Sequence, residues 1–121
     1  MQDDIIHLDK TSQEIIKDHM PNTRVCDKLA YFYSMFSDST RLKIIISLCL
    51  KEMCVNDLSK LLNINQTTIS HQLKILKSNG AVTTTRNNKF IFYKVNSKLI
   101  NDIMIKGVDY LLDKSPNKTI A

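Results

Sequence analysis

Apolar residues follow two different periods along this chain, and the change occurs at Gly80. Before Gly80 they recur every three or four residues, which is the spacing of one face of an α-helix. After Gly80 the period becomes two, and β-branched and aromatic residues dominate as far as Val95, which is typical of β-strands. Helical spacing then returns. The pattern predicts a mainly α-helical chain with one small β-hairpin.

The clearest helical pattern covers residues 65–79. Its apolar residues fall at i, i+4 and i+7 and are Ile69, Leu73 and Leu76. Asn65 is a favourable N-cap, and Gly80 follows the end, where a left-handed residue closes a helix at little cost. The opposite face carries hydrogen-bonding groups and a cation but no carboxylate, namely Thr67, Ser70, His71, Lys74 and Ser78. Such a face suits a polyanion that presents base edges, although an ordinary solvated helix face has similar residues.

The same periodicity predicts further helices on both sides. Thr11 and Glu14 form a capping box that starts a short helix ending near His19. We expect the other helices over Thr23–Phe36, over Asp38–Leu50 with Ser37 as its cap, over Asp57–Leu62 with Asn56 as its cap, and from Asn96 or Ser97 to about Asp113. Residues 52–55 are predicted to be a brief extended segment.

Two of these helices and the strands form a recognisable unit. A short helix, the turn 63–65 and the longer helix 65–79 have the order of a helix-turn-helix. Strands are predicted over Val82–Arg86 and Lys89–Val95, with Asn87 and Asn88 as the two-residue turn, because Asn tolerates positive φ. A basic hairpin directly after a helix-turn-helix is a wing, well placed to contact phosphates or the minor groove.

Charge is distributed unevenly over the 121 residues, which carry a net charge of +5. Residues 1–20 contain five acids and two lysines, whereas residues 51–98 contain eight Lys or Arg and two acids. The positive half therefore surrounds the 65–79 helix, as expected of a surface that faces phosphates. We find neither a membrane-length apolar run nor a signal peptide, so we expect a cytoplasmic protein without a membrane partner.

Four stretches resemble the ArsR/SmtB family of bacterial winged helix-turn-helix repressors: 35–44 (MFSDSTRLKI), 52–58 (EMCVNDL), 66–76 (QTTISHQLKIL) and 92–95 (FYKV). The resemblance covers residues 11–113. It implies a homodimer joined through its first and last helices, with two recognition helices in successive major grooves of a pseudo-palindromic double-stranded DNA operator. We therefore expect an N-terminal arm and short helix at 1–20, the winged helix-turn-helix domain with its dimerisation helices at 21–113, and a flexible tail at 114–121.

The resemblance also implies which residues contact DNA. By motif match, they are Gln66, Thr67, Thr68, Ser70, His71 and Lys74 on the recognition helix, with Arg86 and Lys89 on the wing. Gln66 has the amide that reads adenine in bidentate fashion. Ser70 and His71 are adjacent but lack an orienting carboxylate, so a hydrolytic triad and enzymatic activity are not expected.

The signal that such a protein senses is less evident. Metal-sensing relatives carry a Cys-x-Cys pair at the start of the first helix of the helix-turn-helix, and here Cys54 keeps the first thiol but Asn56 replaces the second. Asn is a poor ligand for arsenite, cadmium or lead, which prefer thiolates. The family's other ligand set, on the last helix, would correspond to Ser97, Leu99, Tyr110 and Asp113, and is essentially absent.

Three interpretations of the cysteines remain open. Cys49 is a core residue and Cys26 and Cys54 are bystanders, since free Cys is often buried. Alternatively, Cys54 with Cys26 or Cys49 makes a non-standard site for a thiophilic metal ion. In the third interpretation, two of the thiols sense oxidants by forming a disulfide.

The sequence therefore predicts a dimeric, sequence-specific DNA-binding repressor, derepressed by a thiophilic metal or an oxidant through non-standard cysteines. The alternative is a winged-helix module that binds another protein and not DNA. Binding to DNA that weakens steeply with salt distinguishes the first from the second.

Overall fold

Six helices and one β-hairpin make up the part of the chain that the computed structural model describes, residues 5–112. Their order is α1 (Lys10–His19), α2 (Thr23–Ser34), α3 (Ser39–Leu50), α4 (Val55–Leu62), α5 (Gln66–Ser78), β1 (Val82–Asn87), β2 (Phe90–Val95) and α6 (Lys98–Leu112). This order confirms the predicted winged helix-turn-helix. The contacts divide the chain into two compact units, Met1–Ser34 and Met35–Ala121. The predicted tail at 114–121 and the predicted helix end at Asp113 lie outside the described residues.

The first unit contains α1 and α2, and both begin at a side-chain cap. The predicted capping box at Thr11 is wrong. Asp9 is the N-cap instead, because its carboxylate accepts from the Ser12 backbone N–H at 3.0 Å and from the Ser12 hydroxyl at 2.6 Å. Asn22 accepts from the Val25 N–H at 2.9 Å, at the start of α2. This helix ends at Ser34, two residues earlier than predicted.

The core of the second unit is built around α3. Its residues Ile44, Ile45 and Leu48 are buried, and α3 contacts α4, α5, α6 and β2. The opposing buried side chains are Leu58, Ile69, Leu73, Leu76, Val82, Ile100 and Met104. The Asp38 carboxylate caps α3 by accepting from the Arg41 N–H at 2.9 Å, so the prediction of Ser37 as the cap is wrong by one residue.

The segment before α4 connects the helix-turn-helix to the wing. Met53 pairs with Tyr93 through two backbone hydrogen bonds, of 3.2 Å and 2.8 Å, which confirms the extended segment at Met53, whereas Val55, also predicted to be extended, is the first residue of α4. The N-cap of α4 is Cys54, not Asn56 as predicted. Both the backbone N–H and the thiol of Cys54 donate to Oδ2 of Asp57, which leaves the side chain of Asn56 free for another contact.

The hairpin confirms the change of period at Gly80, whose φ is +76°. Its strands pair in antiparallel register from Val82 opposite Val95 to Asn87 opposite Phe90. The turn is therefore Asn88 and Lys89, one residue later than predicted, and Asn88 takes the positive φ of 59°. After the hairpin, the Ser97 hydroxyl accepts from the Leu99 and Ile100 N–H groups and caps α6, as one of the two predictions had it. Among the described residues, none of the helices is long and apolar enough to cross a membrane.

Candidate nucleic-acid interface

One face of α5 is buried and the other is exposed, as the apolar spacing predicts. Ile69, Leu73 and Leu76 are completely buried against the second unit's core. At about 100° per residue, the exposed residues spread over the opposite side of the helix. Five of the predicted DNA-contacting residues lie exposed there, Gln66, Thr67, Ser70, His71 and Lys74, whereas Thr68 is half-buried.

The turn that leads into α5 has a fixed conformation. Asn63 adopts the left-handed region (φ 56°, ψ 48°), which reverses the chain after α4. The Ile64 N–H donates to the carbonyl of Ser59 at 3.1 Å, and the Ser59 hydroxyl donates to the carbonyl of Ile64. Asn65 then caps α5 by accepting from the Thr68 N–H at 2.8 Å, as predicted. Hydrogen bonds to α4 on one side of residues 63–65 and within α5 on the other thus fix the position where α5 begins.

Two side-chain hydrogen bonds fix the two edges of the exposed face. At one edge, Nε2 of Gln66 donates to Oδ1 of Asn56 in α4 at 2.9 Å. At the other edge, Nη1 of Arg41 in α3 donates to Oε1 of Gln72 at 3.2 Å, while Nε of Arg41 donates to the carbonyl of Met35 at 3.0 Å. Sequence reasoning missed both bonds, because they join residues that no local pattern relates.

The cations of the predicted interface are available to a ligand. Arg86 lies in β1 opposite Ile91, and Lys89 lies in the hairpin turn. Both are exposed, as is Lys74 on α5. Within residues 5–112, no carboxylate forms an ion pair with Lys74, Arg86 or Lys89. The described carboxylates therefore leave these three charges available for contacts with phosphates.

A cavity of 280 Å³ lies between the wing and the first turns of α4 and α5. Asn56 and Gln66 line it on the helical side, and Lys89, Phe90 and Ile91 line it on the hairpin side. The cavity is open, so the polar groups of the helix-turn-helix that face it are accessible to solvent.

The cysteines occupy three separate environments. Cys26 in the first unit directs its thiol at the carbonyl of Pro21, 3.6 Å away, and Cys54 contacts Asp57. Cys49 lies half-buried near the end of α3, where burial raises the pKa of its thiol. Within the described residues of one chain, no three His, Cys, Asp or Glu side chains form a group that could hold a metal ion.

The ligand sets of metal-sensing relatives do not fit the residues present. At the position of the second thiol, the Asn56 amide is hydrogen-bonded to Gln66. On α6, Ser97 serves as the helix cap, and Leu99 and Tyr110 are exposed side chains that supply neither imidazole nor carboxylate. A metal site formed by the three cysteines remains a prediction from the sequence.

Comparison with known proteins places the chain among bacterial regulators. Residues 38–84 match the model of the bacterial regulatory protein arsR family. The arsenical resistance operon repressor of Staphylococcus aureus is 34% identical over 77 residues, which cover 64% of this chain and 74% of that protein. A transcriptional repressor SmtB homolog of Synechocystis is 25% identical over 107 residues, covering 88% of this chain and 80% of the relative.

Solved structures share the fold. HlyU from Vibrio cholerae matches with a TM-score of 0.68 at 22% identity, covering 77% of this chain and all of that one. The homodimeric winged helix-turn-helix DNA-binding domain of a Mycobacterium bovis protein matches with a TM-score of 0.66 at 22% identity, covering 81% of this chain and 94% of that one. At these identities the likeness concerns the fold alone.

Proposed function

The chain belongs to the ArsR family of bacterial regulatory proteins, and we propose that it represses transcription by binding a pseudo-palindromic operator as a homodimer. The family consists of transcriptional regulators and not of enzymes. The observation that carries the proposal is the exposed face of α5, which has no carboxylate and is accompanied by cations that form no ion pair with any residue between 5 and 112.

Recognition of DNA would use α5 and the wing in different ways. With α5 in the major groove, Gln66, Thr67, Ser70 and His71 present donors and acceptors to base edges and nearby phosphates, supported by Thr68 and Lys74. Arg86 and Lys89 on the wing bind the flanking backbone, which orients the protein without reading sequence.

Self-association is supported by apolar surface on α6. Its residues Leu99, Tyr110, Leu111 and Leu112 are between 58% and 78% exposed. Beside them, α3 and α6 form the walls of an open apolar cavity of 180 Å³ lined by Leu42, Ile46, Ile103, Met104, Gly107, Val108 and Leu111. In the first unit, α1 also exposes Ile15 and Ile16. Apolar surface of this extent commonly marks a protein interface, and the first and last helices are the predicted dimerisation helices.

The competing function is a winged-helix module that binds another protein and not DNA. Selecting, from a library of random DNA duplexes, those that bind the full-length protein distinguishes the repressor from the interaction module. A repressor enriches a motif with two half-sites about one helical turn apart, and its affinity falls steeply with salt. The interaction module enriches no DNA motif and shows no salt-dependent binding to DNA. Size-exclusion chromatography with light scattering tests the dimer independently of DNA.

Derepression through the cysteines stays a prediction. The donor set of one chain does not match the family's thiolate pair, so we assign no step to a metal ion. Operator binding by the reduced protein, titrated with zinc, arsenite, cadmium and an oxidant and repeated on Cys54→Ser, tests this prediction. Loss of binding by the wild type but not by the variant identifies Cys54 as the sensing thiol.

A further inference from the structure

Asn56 and Gln66 connect the two helices of the helix-turn-helix at its exposed edge. They lie in the first turns of α4 and α5, and Nε2 of Gln66 donates to Oδ1 of Asn56 at 2.9 Å. Both side chains are exposed. A solvent-exposed neutral hydrogen bond adds little to stability, since water competes for both partners. Its main physical effect is therefore on the direction of the Gln66 amide.

The bond determines which atoms of Gln66 remain available. An amide NH₂ has two hydrogens, and the bond to Asn56 uses one of them. Oε1 and the second N–H remain, an acceptor beside a donor. Adenine presents the complementary pair in the major groove, the N6 donor and the N7 acceptor, whereas guanine presents two acceptors, O6 and N7. Turning the Gln66 amide over by itself would place Oε1 against Oδ1 of Asn56, two acceptors in contact, and a hydrogen bond would return only if the Asn56 amide turned as well.

Nothing else in the described part of the chain occupies these groups. Within residues 5–112, neither amide makes a second side-chain hydrogen bond. Both line the open cavity of 280 Å³ between the helices and the wing. Gln66 is thus restrained by one partner and otherwise accessible, the condition in which preorganisation increases affinity and selectivity.

We propose that Asn56 is a positioning residue for base recognition, which holds the Gln66 amide in the orientation that reads adenine and rejects guanine. This inference rests on the proposed function, because it needs α5 in the major groove. It also gives Asn56 a role different from that of the Cys that metal-sensing relatives carry at this position. The Asn56 side chain orients a residue of the recognition helix and does not bind a metal ion.

Three variants test the proposal. Asn56→Leu removes the acceptor but keeps the branching and the number of heavy atoms, Asn56→Asp keeps an acceptor in the same place, and Gln66→Ala removes the base-reading amide. Selection on random duplexes defines the wild-type motif, and the base pair whose preference Gln66→Ala loses is the one that Gln66 reads. Competition binding then compares duplexes with adenine or guanine at that base, for full-length dimers whose mass and circular dichroism match the wild type.

We expect the wild type to prefer adenine over guanine at that base by about tenfold or more, the range of one good bidentate contact. Asn56→Leu should reduce the preference to about twofold while non-specific affinity is unchanged, since only the orientation of a base-reading group is lost. Asn56→Asp should keep the preference although its added charge weakens all DNA binding. Adding Asn56→Leu to Gln66→Ala should change the preference no further, because the two residues act as one unit.

Different results overturn different claims. If the wild type enriches no motif, the proposed function itself fails. If it enriches a motif but Asn56→Leu keeps the full preference, or Asn56→Asp loses it, Asn56 does not position Gln66. A base other than adenine at the Gln66 position, or a motif that Gln66→Ala leaves intact, overturns the assignment of Gln66 as the adenine reader.

Discussion

Arg41 donates a hydrogen bond from Nη1 to Oε1 of Gln72 at 3.2 Å, and so joins the central helix α3 to the recognition helix α5. The same guanidinium donates from Nε to the carbonyl of Met35 at 3.0 Å. Arg41 also supplies the backbone N–H that Asp38 accepts as the cap of α3. One residue thus connects the start of the second unit, the core helix α3 and the edge of the exposed face of α5.

We expect Arg41→Ala to lower the free energy of unfolding by about 1–3 kcal/mol, because hydrogen bonds from a charged group are stronger than neutral ones. Urea denaturation followed by circular dichroism measures the change. Lys43→Ala is the matched control, an exposed cation on the same helix, and should stay within about 0.5 kcal/mol of the wild type. If Arg41→Ala lowers the free energy of unfolding as little as Lys43→Ala does, Arg41 has no structural role.

His71→Ala should strongly impair specific operator binding while leaving the dimer folded. The residue lies exposed on α5 opposite the buried face, so its removal costs contacts to DNA but no packing. We expect a loss of tenfold or more in specific affinity, on the order of one base or phosphate contact. Ser70→Ala combined with Thr67→Ala should behave in the same way.

Electrophoretic mobility shift on the selected operator measures this loss, and His7→Ala is the control. His7 is also exposed but precedes α1, outside the helix-turn-helix. Near-normal operator binding by His71→Ala would show that His71 does not contact DNA and would contradict the proposed interface.

The helices and their buried faces could be predicted because the responsible interactions are local. The spacing of Ile69, Leu73 and Leu76, the N-cap Asn65 and the left-handed Gly80 after the helix end all lie within one segment. The N-caps were harder to predict, since several capping residues lie side by side. Asp9 precedes Thr11, and Asp38 follows Ser37, and the geometry of the incoming chain decides between neighbours.

Tertiary pairing decides what the sequence leaves open. The hairpin turn shifts by one residue because β1 and β2 pair as far as Asn87 and Phe90, which leaves Asn88 and Lys89 for the turn. Residue type predicts Asn56 as the cap of α4, but Cys54 caps the helix and Asn56 contacts Gln66, ten residues away in α5. Neither the strand register nor a contact between two helices is contained in a local pattern.

Lys89→Ala should weaken binding to all DNA sequences about equally. Lys89 lies exposed in the wing turn, where it would neutralise one phosphate and release one counterion. We therefore expect the slope of log K against log salt to become smaller by about one, with the motif from duplex selection unchanged. Arg86→Ala should have the same effect.

Lys106→Ala controls for net charge, because Lys106 is exposed on α6 and outside the helix-turn-helix and wing. This variant should keep the wild-type slope. A Lys89→Ala slope equal to that of Lys106→Ala would show that the wing does not contact the backbone of DNA.

The stability of the protein should depend on Cys49 in alkaline solution. Burial near the end of α3 raises the pKa of the Cys49 thiol above its ordinary value of 9.0. Between the unfolded-state pKa and the raised folded-state pKa, the native chain holds a proton that the unfolded chain has released. Stability falls with rising pH wherever the unfolded state binds fewer protons. The contribution of the protonated Cys49 thiol to the free energy of unfolding is therefore fully present below about pH 9 and is lost as the pH rises through the pKa of this thiol in the folded state.

Denaturation midpoints measured from pH 7 to above pH 10 test this dependence. Other groups titrate in that range, so the informative quantity is the difference between the wild type and Cys49→Ala, which should decrease as the pH rises. Cys49→Val is the matched variant: it fills the half-buried site differently, which changes stability at neutral pH, but it should remove the same pH-dependent part. If the difference between the wild type and both variants stays constant with pH, the Cys49 thiol does not titrate differently in the folded and unfolded chains.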